Sequence, residues 1–274
     1  MSHVEVPGAQ IYHEVVGKGP LLLCISGADG SVENWRNFAE SLKDHFTVVA
    51  WDRRGFSRSY ITDAQDYEHR LERDADDAAL LIKKYSPNEP ATVIGNSSGG
   101  VVSLRLLTRH PDLIRTLVPY EPPVAKLLDF DQIWAEHEKI YAVYRKEGPF
   151  PAYKLFGDLT KSKLMQGFKM DFSTPYLWSN QQFWFEREFM VYPKADFDVE
   201  RDFRPHVDKL MPVYGVLSPR DAYQYTAMEV TCKKLGLEYL EFPGEHIGQL
   251  THPQQFAQAL LQALKAKDKF YAEL

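Results

Sequence analysis

The chain has 274 residues, 44% of them apolar and 26% charged. That suits one large soluble domain, or one domain with an insertion, able to bury roughly 70–75% of its unfolded surface. A net charge of −6 argues against the basic face that nucleic-acid binding needs; the longest basic clusters are pairs such as Arg53-Arg54 and Lys233-Lys234.

Cys24 and Cys232 are the two cysteines, and so wide a separation offers neither a disulfide framework nor metal-ligand spacing. No run reaches the 18 apolar residues of a membrane span. The opening "MSHVEVPGAQ" lacks the basic-then-apolar order of a signal peptide. The expectation is a cytoplasmic protein, monomer or homodimer, with no membrane, nucleic-acid, metal or cofactor partner.

In chain order, "HVEV" and "QIYHEVV" alternate around Pro7-Gly8 and predict a hairpin. "PLLLCI" is a continuous apolar run, as in a strand buried on both faces. "VENWRNFAESLKDH" places Val32, Trp35, Phe38, Ala39 and Leu42 on one helical face. "FTVVAW" predicts another buried strand. "EHRLERDADDAALLIKKY" predicts a helix whose acidic middle reads as a solvated face. "ATVIG" is a third buried strand, followed by the helical "VVSLRLLTRH" and the strand "LIRTLVPY". Near the end, "MPVYGV" and "LEYLEF" predict strands with a helix between them, and a last helix starts near Pro253.

Strand and helix alternate at both ends of the chain, which calls for a parallel sheet covered on both faces. Residues 122–205 break the rhythm. They hold helix-like runs, "FDQIWAEHEKIYAVYRKE" and "QQFWFEREF", and no convincing strand. From Phe130 to Tyr192, 16 of 63 residues are aromatic, against 13% of the whole chain. A segment so sticky is no linker; it reads as a helical insertion over the sheet.

"GNSSGG" fits G-x-S-x-G with Ser97 at the centre. A sharp strand-to-helix turn strains the central residue and exposes its hydroxyl, and the close passage of the chain demands small residues on either side. Gly95 and Gly99 meet that demand. The same turn leaves the backbone N–H of Ser98 at a helix N-terminus, aimed at developing negative charge. A serine nucleophile needs a base. His246, in "LEFPGEHIGQLTHPQQF", follows the last strand and lies on the strand-end edge that carries Ser97.

Together "ISGADG", "DRRGFSRS", "GNSSGG" and "PGEHIGQLTHPQQF" resemble the α/β-hydrolase superfamily over nearly the whole chain. The resemblance implies an α/β-hydrolase fold: a mostly parallel eight-stranded sheet with helices on both faces and an inserted helical lid. Residues 1–121 and 206–274 would form the core and 122–205 the lid. It implies a Ser-acid-His triad and a second oxyanion donor in "SGADG", at Gly27 or Ala28. "YEPPVAKLL" and "QQFWFEREF" are also similar, more distantly, to fungal lactonases that open zearalenone. Relatives with an aspartate nucleophile, the dehalogenases and epoxide hydrolases, depart from this chain at Ser97.

The acid is open between two residues. The commonest superfamily position is the aspartate of a G-x-x-D pattern after the strand "MPVYG", but Ser218 stands there, with Asp221 three residues on. Glu121 follows "LVPY", an arrangement similar to the zearalenone lactonases, and Pro122-Pro123 would stiffen its loop. The reading favours Glu121 and keeps Asp221 as the alternative.

Aromatic residues over a crevice imply an apolar substrate, ring-containing molecules included. Resemblance to the lactonases points to Trp184 as a substrate contact. The activity expected is hydrolysis of a carboxylic ester or lactone through an acyl-enzyme. Alternatives are carbon–carbon hydrolysis of a β-diketone by the same triad and a small-ligand receptor with slow turnover.

Overall fold

The computed structural model describes residues 2–162 and 176–267. Strands β1 (Ser2–Val6) and β2 (Ala9–Val16) form the opening hairpin. The central strands are β3 (Leu21–Ile25), β4 (Thr47–Trp51), β6 (Ala91–Asn96) and β7 (Ile114–Tyr120), with a two-residue β5 (Tyr60–Ile61) against β2. β8 (Val213–Gly215) and β9 (Leu240–Phe242) complete the sheet. The order is β1-β2-β4-β3-β6-β7-β8-β9, antiparallel at β1-β2 and β2-β4 and parallel from β4 onward.

The apolar runs are continuous because the central strands are covered twice. Successive side chains point to opposite faces. Leu21, Leu23 and Ile25 join a cluster with Ala75, Ala78 and Ile82 of α2 (Arg70–Tyr85) and Val101 and Leu104 of α3 (Ser98–Arg109). Leu22 and Cys24 join Phe38 and Leu42 of α1 (Arg36–Leu42) and residues of the last helix on the other face. Val32 and Trp35 are buried with them, on a short 3-10 turn and the residue preceding α1.

Between β7 and β8 lie α4 (Phe130–Glu147), α5 (Pro149–Leu159) and α6 (Leu177–Arg187). They build a third cluster from Ile140, Tyr144, Phe156, Trp184, Phe185 and Phe189, joined to the rest by Phe56. After β8 come α7 (Tyr223–Leu235), the single turn α8 (Gly248–Thr251) and α9 (Pro253–Ala266). Among the described residues no helix is long and apolar enough to cross a membrane.

The acidic middle of α2 departs from the solvated face expected of it. Asp74 and Asp77 are buried. Asp77 takes both forks of Arg54, at 2.7 and 2.9 Å, and Asp74 accepts from Arg53 at 2.8 Å. Buried arginines from the loop after β4 supply the counter-charge that makes these positions tolerable. Asp76 keeps a surface position, pairing with Arg109 and His110.

The chain reverses its direction of sheet growth at β3: β4 adds on one side and β6 on the other. Such a switch point opens a crevice at the carboxyl ends of the strands. The residues after β3, β6 and β7 therefore meet there.

Candidate active site

Ser97 sits between β6 and α3 with φ 54° and ψ −122°. The turn is as tight as its glycine spacing implies. A Cβ on Gly95 would come 2.3 Å from Gly99 O, and one on Gly99 2.2 Å from Ile25 O. Both contacts are with backbone, so neither position admits a side chain without moving the chain. Ser97 N donates to Tyr120 O at 2.9 Å, carrying the β6–β7 ladder one residue beyond the strand.

Glu121 follows β7 directly and is fully buried, with φ 45°. Ser97 and Glu121 are two of five non-glycine positive-φ residues among those described. Strain of this kind costs of order 1–3 kcal/mol and gathers at functional sites. The Glu121 carboxylate is held at both oxygens: Oε1 accepts from Gly215 N at 3.0 Å, and Oε2 lies 2.6 Å from His246 Nδ1. That contact directs the other imidazole nitrogen, Nε2, as a proton acceptor when the ring is neutral.

The end of β8 thus holds the Glu121 carboxylate, through the N–H of Gly215. Ser218 is buried in the loop that follows, with no partner for its hydroxyl among the described residues. Asp221 stands on the surface, where Lys161 Nζ approaches Oδ2 at 2.5 Å with the Asp221 side chain 74% exposed. The residue capping α7 is Ala222.

The His246 loop is held by the residues immediately before Ser97 and Glu121. Asn96 Nδ2 donates to His246 O at 2.7 Å. Tyr120 OH donates to Glu245 O and accepts from Gly248 N at 3.1 Å. Burial, and then the neighbouring Glu121 carboxylate, hold the Tyr120 phenol well above its usual range. It therefore stays a neutral donor.

The loop after β3 closes on Ser97 from the other side. A Cβ on Gly27 would lie 3.1 Å from Ser97 Cβ. Arg53, buried after β4, fixes this loop by donating to Ser26 O at 2.9 Å and Gly27 O at 2.7 Å. The same guanidinium forks onto Glu188, just after α6, at 2.7 and 2.8 Å. Arg70 reaches Glu188 at 3.1 Å, and Tyr192 donates to Asp74 at 2.8 Å. Two arginines, Asp74 and Glu188 thus form a buried, charge-balanced group joining the loop to the helices above it. Glu188 and Asn96 carried no signal in the sequence beyond membership of quoted motifs.

Gly27, Ala28, Ser97, His246 and Trp184 line one cavity of about 340 Å3. A second hollow of about 10 Å3, the size of one water, shares Ser97, Phe156 and Trp184 with it and adds Ser98. Trp184 is 4% exposed and packs against Phe156 at 5.0 Å and Phe189 at 5.1 Å between ring centres, so it is wall and core at once.

Comparisons with known proteins give the family. A family model for the alpha/beta hydrolase fold matches residues 20–137. The uncharacterized hydrolase YraK of Bacillus subtilis (strain 168) is 30% identical over 269 residues, 97% of this chain and 96% of its own. The chain belongs to the α/β-hydrolase family. Among solved structures, this hydrolase is similar to a thermophilic esterase from Thermogutta terrifontis, with a TM-score of 0.69 at 17% identity, covering 97% of this chain and 99% of the other. It is also similar to the enol-lactonase from Burkholderia xenovorans LB400, with a TM-score of 0.64 at 16% identity, covering 96% and 99%. At such identities the likeness concerns the fold.

Proposed function

We propose that this α/β hydrolase cleaves a carboxylic ester or lactone of a small, largely apolar molecule through an acyl-enzyme formed on Ser97. The observation that carries the reading is the 2.6 Å contact of His246 Nδ1 with buried Glu121, on a histidine that shares a cavity with a strained serine. An esterase and an enol-lactonase among its structural neighbours are in keeping with this class of reaction.

In this mechanism Nε2 of His246 takes the Ser97 proton as the oxygen attacks the carbonyl carbon. Glu121 holds the tautomer and stabilises the imidazolium without taking the proton itself. The developing oxyanion is received by the backbone N–H of Ser98 and that of Gly27 or Ala28. His246 returns the proton to the leaving alkoxide, and water then cleaves the acyl-enzyme by the same steps. Residues 122–205 act as the lid, and Trp184 forms part of the substrate wall. Support for a lid comes from the apolar cluster that α4, α5 and α6 build, although Val124, Tyr192, Phe197 and Phe203, inside those bounds, pack with the main core, and residues 163–175 lie outside the described residues.

A turnover screen over p-nitrophenyl esters and aryl-substituted lactones, with Ser97→Ala as control, tests the reading. Hydrolysis lost by a factor of about 10³ or more in Ser97→Ala, with fluorophosphonate labelling confined to Ser97, is the expected result. Labelling at another residue, or turnover that survives Ser97→Ala, overturns it.

A further inference from the structure

We propose that the cavity beside Ser97 takes a substrate carrying a cationic nitrogen, and that Asp29 is the residue that pairs with it. The proposal rests on the hydrolase reading above and narrows its substrate class from apolar to amphiphilic.

Asp29 occupies the third position of the turn Gly27-Ala28-Asp29-Gly30, closed by Gly30 N donating to Gly27 O at 3.0 Å. It stands two residues from Gly27, hence within about 7 Å of it along the chain. Gly27 in turn abuts Ser97. Asp29 lines the same cavity as Ser97 and His246. Its carboxylate is oriented, because Oδ1 accepts from Asn34 Nδ2 at 2.6 Å and, more weakly, from Ser31 N at 3.5 Å. Oδ2 takes no hydrogen bond from a described residue.

Among the described residues this carboxylate forms no ion pair, and Arg53 acts on it only from a distance. None of the described residues lining the cavity is lysine or arginine. Glu33, the other carboxylate on the wall, is engaged by Arg36 and by Arg58 at 3.2 Å. Arg53, the nearby cation, is consumed by Asp74, Glu188 and two carbonyls. Burial pushes the Asp29 carboxyl up to about 6, so at neutral pH it is charged at a cost that a bound cation would offset.

The rest of the wall suits such a guest. Tyr153, Phe156 and Trp184 line the same cavity. Aromatic faces attract a desolvated cation and bury the apolar body that carries it. A half-buried acid facing an aromatic wall discriminates charge, since the alternative is a carboxylate held without a cation away from bulk water.

The test uses the full chain at pH 8 and two ester pairs matched in shape. One pair is 4-(aminomethyl)phenyl acetate and 4-ethylphenyl acetate, with the cation on the leaving group. The other is phenyl 4-(trimethylammonio)butanoate and phenyl 5,5-dimethylhexanoate, with the cation on the acyl group. The expected result is a cationic-to-neutral ratio of kcat/KM of about tenfold or more in at least one pair, falling at least fivefold in Asp29→Asn. Ratios near one in both pairs, or a ratio that Asp29→Asn leaves intact, overturn the proposal while leaving the hydrolase reading standing. Should neither pair be cleaved, the ester reading fails by itself. Calorimetric binding of benzylammonium against benzyl alcohol then decides the cation site. The same wild-type comparison serves if Asp29→Asn does not fold. Preference for benzylammonium supports the proposal and equal or weaker binding overturns it.

Discussion

Asn96 donates from Nδ2 to the main-chain carbonyl of His246 at 2.7 Å, across 150 residues of sequence. Tyr120 grips the same loop from the next strand, through Glu245 O and Gly248 N. The histidine is therefore positioned by the two residues that immediately precede the serine and the acid. Tyr120→Phe removes one hydroxyl and leaves a buried carbonyl and a buried N–H without their partner, at a cost of about 1–3 kcal/mol. Its kcat on a p-nitrophenyl ester is expected to fall by roughly tenfold, with KM little changed, because the loss is of geometry and not of substrate contact. An unaltered kcat would show that the loop is held without the hydroxyl.

Glu121 and Asp221 differ enough in surroundings for a clean comparison. Glu121→Gln keeps the shape but removes the charge that steadies the imidazolium. The expected loss in kcat is on the order of 10²–10⁴. Asp221→Asn breaks only an exposed pair with Lys161 and is expected to stay within about twofold. Steady-state rates of the two variants side by side check this. The reverse order would transfer the acid role to Asp221.

The elbow is legible in the chain because its demand is local: two small residues flanking Ser97 and an apolar run on either side. The strands are legible for the same reason, since burial on both faces writes itself as an unbroken apolar run. The charge group around Arg53 is not legible, because its members lie up to 135 residues apart. Acidic residues on a helix are ordinarily solvated, so nothing in the sequence sets Asp74 and Asp77 apart; what buries them is pairing with the distant Arg53 and Arg54. Asp29 was hidden similarly: an aspartate before glycine in a turn is commonplace, and only the cavity makes it notable.

That charge group gives a third prediction. Glu188→Gln leaves Arg53 and Arg70 buried with one anion, Asp74, between them. Breaking a buried pair by removing one partner costs about 3–5 kcal/mol. Urea unfolding is expected to show a midpoint lowered accordingly. A shift below about 1 kcal/mol would mean that water reaches the arginines.

Asp29 has a measurable effect on stability as well. Burial first, and then the nearby Asp52, raise its folded pKa from the ordinary 3.8 to about 6, against the lowering pull of Ser31 N–H, Arg53 and Asn34. The native state thus binds this proton more tightly than the unfolded chain does. The stability so gained is full below about pH 4 and is lost as pH rises through 6. Asp29→Asn is therefore expected to be more stable than the wild type at pH 7.5, by about 1–3 kcal/mol, with the gap closing toward pH 4. Denaturant melts of both proteins at the two pH values measure it, and equal stability at pH 7.5 would contradict it.

The 2.6 Å contact between Glu121 and His246 spans 125 residues, and its histidine partner comes from beyond β9. As the ribosome extends the chain, the elbow, the carboxylate and the grips of Asn96 and Tyr120 all emerge well before the loop they receive. On the proposed mechanism, a chain that ends before β9 has Ser97 without its base and Glu121 without its imidazole. Competence would then arrive late and in one step, so a chain interrupted near residue 240 would be inert however much of its sheet had formed.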